Sequence, residues 1–208
     1  VSSYYPNMAI ANRVYPEHLN ESFCDSYEDF YKERGNYAKG TGENLAIKLG
    51  LNATYGNSNN QFSPFYDPKY TMTITIGGQL SLCMLIEKLI DDCDVKMVQA
   101  NTDGITFKCS NDKLDSMRDI VSRWEKATGL TMEENQYKSM YLRDVNSYIA
   151  VYSETGKLKA KGAYEHKDLA WHKNMSALVI PMAVEHEVMG KGNAKDFILN
   201  HKNEFDFM

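Results

Sequence analysis

The sequence predicts a mixed α+β protein in which helices pack against a small sheet. Two observations support this fold class. Segments with helical spacing of apolar residues are interspersed with strand-like segments, and an apparent β-hairpin at residues 95–109 is flanked by helices. The chain has 208 residues, of which 43% are apolar and 25% charged. These values are ordinary for a globular protein with a substantial core.

The first half of the chain is predicted to contain one strand and two helices. Residues 1–12 are expected to form a strand and a turn, because Pro6 interrupts regular structure. Apolar residues at helical spacing predict helices over residues 21–33 and 43–55. The Asn, Ser and Pro residues between 57 and 70 predict a loop.

The second half alternates between helix and strand. A helix is predicted over residues 73–90, although two glycines interrupt it, and an amphipathic stripe predicts another over 114–127. Between them, alternation around an Asn-Thr-Asp-Gly turn predicts the hairpin over 95–109. Residues 137–164 are expected to form two or three strands, and 177–199 a helix that is broken by glycines.

The charge and the cysteine content of the chain indicate which kinds of partner, metal site and compartment to expect. The net charge of −5 is unusual for a nucleic-acid-binding protein, but five lysines between residues 156 and 174 form a basic segment. The four cysteines contain no CxxC pair, so we expect reduced cysteines and no zinc site. No apolar run suits a membrane helix and no signal peptide opens the chain. We therefore expect a cytoplasmic protein with no membrane partner.

Three segments carry a more specific signal. They read VSSYYPN at residues 1–7, LAIKLGLNATYG at 45–56 and VQANTDGITF at 98–107. In this order they resemble the DxxSLYPS, KxxxNSxYG and YxDTDS motifs of family B DNA polymerases. The leading aspartate of the first motif would lie immediately before Val1. We therefore expect the chain to be an inactive fragment of a longer enzyme.

The third motif lies at the predicted hairpin turn. The resemblance implies that Asp103 is a catalytic residue and coordinates two Mg²⁺ ions, which prefer oxygen ligands. Asn101 would supply a further oxygen where the family has its first aspartate, and Gln99 and Gly104 also depart from the pattern. We expect the tip to lie beside the strand that contains Val1. The alternative is an ordinary tight turn with no metal.

The second motif places three side chains on one helix face, because Lys48, Asn52 and Tyr55 fall at i, i+4 and i+7. The resemblance implies that Lys48 contacts the incoming triphosphate. Asn52 and Tyr55 would line the pocket of the nascent base pair, and Gly56 would let the template pass. Further triphosphate ligands would come from nearby basic residues: Lys32, Arg34 or Lys39. The alternative is a solvated lysine and a core tyrosine.

The first motif implies nucleotide contacts from Ser3, Tyr4 and Tyr5. Their main-chain N–H groups would bind phosphate oxygens. The ring of Tyr5 would pack under the sugar, where a 2′-hydroxyl would collide with it. The alternative is a strand with two packed tyrosines.

A fourth segment carries alternating lysines. A strand would place Lys157, Lys159 and Lys161 on one face, and with Gly162 and Tyr164 they resemble the KxY element of the family. The resemblance implies that Lys159, Lys161 and Tyr164 bind the primer–template. The alternative is an edge strand whose lysines prevent it from pairing with another chain.

The resemblance covers residues 1–165. It implies a palm, an antiparallel sheet with helices on one face, from residues 1–13 and 66–165. It also implies a short helical fingers insertion over 14–65 and a partial helical thumb over 166–208. The expected function is that of a phage-like or mobile-element-like DNA-directed DNA polymerase. Such an enzyme adds dNTPs to a primer 3′-hydroxyl with two Mg²⁺ ions, in the host cytoplasm if a phage encodes it.

Two other functions fit parts of the sequence. A non-catalytic nucleic-acid-binding or scaffold module derived from a polymerase core would explain Asn101 and Gly104. The other function is that of a different nucleotidyltransferase with a palm domain, such as a cyclase. The chemistry of such an enzyme gives no role to the helix that contains Lys48 and Gly56. Metal-dependent dNTP binding separates the polymerase from the scaffold.

Overall fold

The computed structural model describes residues 1–167, 169 and 173–208. They form seven α-helices and two antiparallel sheets, of two and three strands, so the mixed α+β class is confirmed. The chain divides into two compact units, Val1–Glu133 and Glu134–Met208. Residues 168 and 170–172, which fall in the predicted thumb, lie outside the described residues.

The chain begins with a helix, and the prediction of a strand over residues 1–12 is wrong. Helix α1 covers Tyr4–Ala11. Pro6 stands in its first turn, where a main-chain N–H has no helical acceptor, so proline is compatible with the start of the helix. The helix is favoured because it buries Tyr4 and Met8, which are 4% and 5% exposed.

The other helices of the first unit follow the sequence pattern closely. They are α2 (Ser22–Arg34), α3 (Gly42–Gly56), α4 (Pro68–Cys93) and α5 (Leu114–Thr128). Only α4 begins clearly earlier than predicted, inside the expected loop. Asp67 caps it by accepting a hydrogen bond from the Tyr70 N–H at 3.0 Å, and Pro68 fits the first helical position.

The predicted hairpin is present. Strands β1 (Lys96–Ala100) and β2 (Ile105–Lys108) pair antiparallel, with Ala100 opposite Ile105. Met97, Ile105 and Phe107 pack against the core of the first unit. No residue of the turn has a positive φ, so Asn, Asp and Gly are not needed there for a left-handed backbone.

Two glycines in the middle of α4 let α1 approach it closely. The Tyr4 hydroxyl donates to the Gly78 carbonyl at 2.5 Å. A Cβ atom on Gly78 would lie 3.3 Å from the Tyr4 ring, and one on Gly77 would lie 3.2 Å from the Met8 methyl carbon. The glycine pair that interrupts the sequence pattern therefore makes room for the first motif.

By length and composition, α4 is the one described helix that could cross a membrane. Its best window has a mean hydropathy of 1.3, and 28% of that window is buried. This differs from the expectation that no segment suits a membrane helix. A single such helix is weak evidence, because the core helix of a globular protein passes the same test. Here Tyr70, Ile74, Leu85 and Leu89 all belong to the buried core.

The second unit contains a three-stranded sheet and two helices. Its strands are β3 (Tyr137–Leu142), β4 (Tyr148–Tyr152) and β5 (Leu158–Lys161), antiparallel and in that order. The helices α6 (Val179–Val188) and α7 (Ala194–Asn200) are separated at Gly190–Gly192. Both the strands and the broken helix match the sequence prediction.

We expect Gly78→Ala to destabilise the protein. Alanine favours a helix, but its methyl group would press on the buried and hydrogen-bonded Tyr4 ring, and overpacking typically costs about 1–3 kcal/mol. Urea denaturation should show a net loss of about 1 kcal/mol. Gly42→Ala is the matched control, since a Cβ there meets nothing within 4 Å. Equal stability of the two variants would contradict close packing of α1 on α4.

Candidate functional site

Two tyrosines join the first and second motifs. The rings of Tyr5 on α1 and Tyr55 on α3 stack with centroids 4.1 Å apart and planes 8° from parallel. The Tyr55 hydroxyl lies 2.8 Å from Thr75 Oγ1 on α4, which fixes the orientation of its ring. Both rings are half-buried, so the stack forms a flat, partly accessible wall.

The Tyr5 hydroxyl is also linked electrostatically to the third motif. Its pKa is raised, first by burial and then by interaction with Tyr55 and the Asp103 carboxylate. The phenol therefore stays neutral at physiological pH and can donate a hydrogen bond. The contact of the third motif with the first is made by Val1, whose amino group donates to the Asp103 main chain.

Of the three basic candidates, Arg34 is the one that the structure shows in contact with the first motif. Its Nη1 donates to Ser3 Oγ at 2.9 Å. The other two are paired elsewhere. Lys32 contacts Glu28 at 2.7 Å on the surface of α2, and the exposed Lys39 lies 3.6 Å from a carboxylate of Glu133.

Asn44 holds Arg34 in place. Its carboxamide Nδ2 donates to the carbonyls of Arg34 and Tyr37, at 3.2 and 3.0 Å, and its Oδ1 accepts from Arg34 Nε at 3.3 Å. Asn44 is 7% exposed, so these bonds replace water that the side chain lost on burial. Sequence reasoning missed this residue, because a single asparagine in a helix gives no distinctive signal.

The N-terminus of α1 offers main-chain donors beside Arg34. The N–H groups of Tyr4 and Tyr5 stand in the first helical turn, and no described residue accepts from them. Ser3, at the N-cap, has a left-handed backbone with φ of 44°, and its side chain caps neither group. Together with the guanidinium, these donors make an electropositive end of the helix.

Tyr4 contributes only its main chain to this surface. Its side chain lies in the core, and burial raises the pKa of the phenol to about 12. The predicted nucleotide contact of Tyr4 is therefore restricted to its N–H group. The neighbouring Tyr5 is half-buried, so the two tyrosine side chains have different surroundings.

Asp103 lies at the exposed tip of the hairpin, beside the first residue of the chain. The Val1 amino nitrogen donates to the main-chain oxygen of Asp103 at 2.5 Å. The predicted proximity is therefore present, although α1 rather than a strand follows Val1. Asn101 Oδ1 accepts from the Thr102 N–H at 2.7 Å and from its hydroxyl at 3.1 Å, so this oxygen is used within the turn.

The residues at the hairpin tip offer few oxygen ligands to a metal ion. Asp103 offers one exposed carboxylate, while the Asn101 oxygen already accepts two hydrogen bonds. Within the described residues, no three His, Cys, Asp or Glu side chains gather where they could hold a metal. The donor set therefore suits one ligand of a metal ion and does not complete a two-ion site.

The remaining residues of the second motif lie on the exposed side of α3. Lys48 is one turn beyond Asn44 and two turns before Tyr55, and it forms no ion pair with any described residue. Asn52 and Gly56 are also exposed. All three residues are therefore on the surface, and the side chains of Lys48 and Asn52 make no hydrogen bond or ion pair with any described residue.

The fourth group of predicted residues belongs to the second unit. Lys159 Nζ lies 3.1 Å from the Tyr137 hydroxyl, and Lys161 lies 3.7 Å from Glu165. Tyr164 ends a short turn that Gly162 begins with a φ of 61°. A Cβ on Gly162 would meet the Asn146 carbonyl oxygen at 2.4 Å, so this position requires glycine.

Comparison with models of known protein families and with curated protein sequences gives no match. The motifs and their geometry are therefore the observations on which a function can be proposed. The most informative are the stack of Tyr5 on Tyr55 and the bond from Arg34 to Ser3.

Asn44→Ala should destabilise the protein by about 1–3 kcal/mol, because it removes the hydrogen bonds that the buried Asn44 side chain makes to Arg34 and to the Tyr37 carbonyl. The free energy of unfolding in urea measures this. Asn52→Ala, on the same helix, is the control and should change stability by less than about 0.5 kcal/mol. If both variants were equally stable, Asn44 would not anchor Arg34.

Proposed function

We propose that this chain forms the nucleotide-binding part of a DNA-directed DNA polymerase, an enzyme that adds deoxynucleotides to a primer 3′-hydroxyl. The observation that carries the proposal is that the three motifs contact one another in the first unit. The Tyr5 ring stacks on Tyr55, Ser3 beside it accepts a hydrogen bond from Arg34, and Val1 at the start of the first motif donates to the Asp103 main chain.

The tyrosine wall suits the sugar and base of an incoming nucleotide. Tyr5 and Tyr55 present parallel rings, and a flat aromatic surface packs well against a base or a deoxyribose. Because Tyr55 is held by Thr75, the Tyr5 ring cannot shift freely toward α3. A ribose 2′-hydroxyl that meets this ring would be excluded, which accounts for selection of deoxynucleotides.

The donors at the start of α1 suit the triphosphate. The N–H groups of Tyr4 and Tyr5 and the guanidinium of Arg34 can each bind a phosphate oxygen. Arg34 donates to Ser3 through Nη1, which leaves N–H groups of its fork for a ligand. Lys48 adds a mobile charge, and no carboxylate of the described part of the chain pairs with it.

Asp103 would supply one carboxylate to the Mg²⁺ ions of such an enzyme. When bound, these ions would activate the primer hydroxyl and stabilise the leaving pyrophosphate. The described residues do not complete this site, so the contribution of this chain is to bind, orient and neutralise the nucleotide. The lysines of the second unit, Lys159 and Lys161, with Tyr164, would contact the primer–template.

A scaffold or nucleic-acid-binding module without catalysis is the second candidate. It is favoured by one observation: Asn101 replaces a carboxylate, and its oxygen already accepts bonds from Thr102. Such a module would bind DNA without metal-dependent dNTP binding. A titration with dNTP, with and without Mg²⁺, separates the two candidates.

Replacing Arg34 or Lys48 with alanine should weaken binding of a fluorescent dATP analogue in the presence of Mg²⁺. Each loses a charge-assisted contact of about 1.5–3 kcal/mol, so Kd should rise roughly 10- to 150-fold. Lys32→Ala is the matched control, because Lys32 pairs with Glu28 on the surface. Equal affinity of all three variants and the unchanged chain would contradict a triphosphate site at α1.

In the full-length polypeptide, Asp103→Asn should abolish single-nucleotide insertion on a primed template and leave the thermal unfolding temperature nearly unchanged. The carboxylate is exposed and supports no other residue through a side-chain hydrogen bond in the described structure. Asn101→Asp should be tolerated, because a carboxylate can still accept from Thr102. Near-normal kcat in the Asp103→Asn enzyme would make Asp103 a turn residue only.

A further inference from the structure

The sheet of the second unit carries tyrosines beside the lysines of the fourth segment, and the motifs do not account for these tyrosines. In β4, Tyr148, Ala150 and Tyr152 alternate with Ile149 and Val151, so the two sets point to opposite faces. Tyr152 is paired with Tyr137 of the neighbouring strand β3, and their ring centroids are 5.1 Å apart. All three tyrosines are half-buried, so parts of their rings are accessible.

Lysines of β5 lie on the same face as the tyrosines. Lys159 is paired with Ala150, and Lys161 with Tyr148, and paired residues share a face. Lys157 precedes β5, and its carbonyl accepts a hydrogen bond from the Tyr152 N–H at 3.0 Å. Lys157 lies two residues before Lys159, so the alternation places it on the same face. The face therefore combines three aromatic rings with three cationic side chains.

Lys159 is held between two of the rings. Its ammonium lies 5.7 Å from the centroid of Tyr137 and 5.8 Å from that of Tyr148. Burial lowers the pKa of Lys159, but interactions with Tyr137 and Tyr148 outweigh this and raise it, so the side chain stays charged. Among the described residues, no carboxylate pairs with Lys157 or Lys159, so their charges are available to an anion.

We propose that this face binds a single strand of DNA, with bases stacked on the tyrosines and phosphates on the lysines. Accessible aromatic rings bind unpaired bases, whereas a duplex hides its base faces within the stack. The cationic side chains are complementary to a phosphate backbone. The inference rests on the proposed function only in naming DNA, and it assigns the tyrosine face to the unpaired part of a primer–template.

The test is a fluorescence anisotropy titration of the 208-residue chain with labelled oligo-dT, in the absence of Mg²⁺ and dNTP. Tyr148→Leu and Tyr152→Leu should each raise Kd roughly 5- to 100-fold, since each loses one stacking surface. Tyr148→Phe and Tyr152→Phe keep the ring and should bind nearly as well as the unchanged chain. Far-UV circular dichroism and thermal unfolding check that the variants fold.

Tyr141→Leu is the matched control. Tyr141 is in the same sheet and 47% exposed, but its partner is Ile149, which places it on the opposite face. This variant should bind like the unchanged chain. If it weakened binding as much as Tyr152→Leu, the assigned face would be wrong.

The salt dependence of Kd for oligo-dT distinguishes the contribution of base stacking from that of phosphate contacts. Lys159→Met should reduce the slope of log Kd against log salt concentration by about 0.7, whereas the Tyr→Leu variants should keep that slope. The proposal is overturned if a blunt duplex of equal length binds as tightly as oligo-dT, if the leucine variants bind normally, or if no binding occurs. Loss of dNTP binding with oligo-dT binding retained would contradict only the proposed nucleotide site.

Discussion

The candidate site depends on close packing of α1 against α4. The Tyr4 hydroxyl donates to the Gly78 carbonyl, and a Cβ on either glycine of the pair would press on a side chain of α1. This contact fixes the rotation of α1 about its own axis. Because Tyr4 points into the core, Tyr5 must point toward α3, and no described residue accepts a hydrogen bond from the N–H groups of Tyr4 and Tyr5.

The electrostatics of the site follow from that arrangement. Arg34 approaches the positive end of the α1 dipole, an unfavourable place for a cation, and it is held there by Ser3 and Asn44. A protein gains little by placing a guanidinium beside unpaired N–H groups unless an anion binds between them. The exposed Asp103 carboxylate adds negative charge at the hairpin tip, where a cation would offset it.

Periodicity predicted most of the elements, since the apolar stripes of α2, α3 and α5 and the alternation of the hairpin are strong local signals. It failed at α1, because Pro6 is equally compatible with a turn and with the start of a helix. The motif spacing singled out Tyr5 and Tyr55, whose rings stack in the structure, but not Asn44, whose hydrogen bonds join it to α2 and to the chain that follows it. The tyrosines of β4 alternate in sequence in the same way as the lysines of β5. The sequence alone therefore indicates that each set lies on one face of its strand.

The proposed nucleotide pocket is tested most directly by a double-mutant cycle between Tyr5 and Tyr55, in which the affinity for dNTP is measured. If the two rings form one wall of a nucleotide pocket, Tyr5→Ala and Tyr55→Ala should each weaken binding, and the double variant should lose less than the sum of the two. The expected coupling is about 0.5–1.5 kcal/mol. Unchanged affinity in both single variants, or strictly additive losses, would contradict a shared pocket.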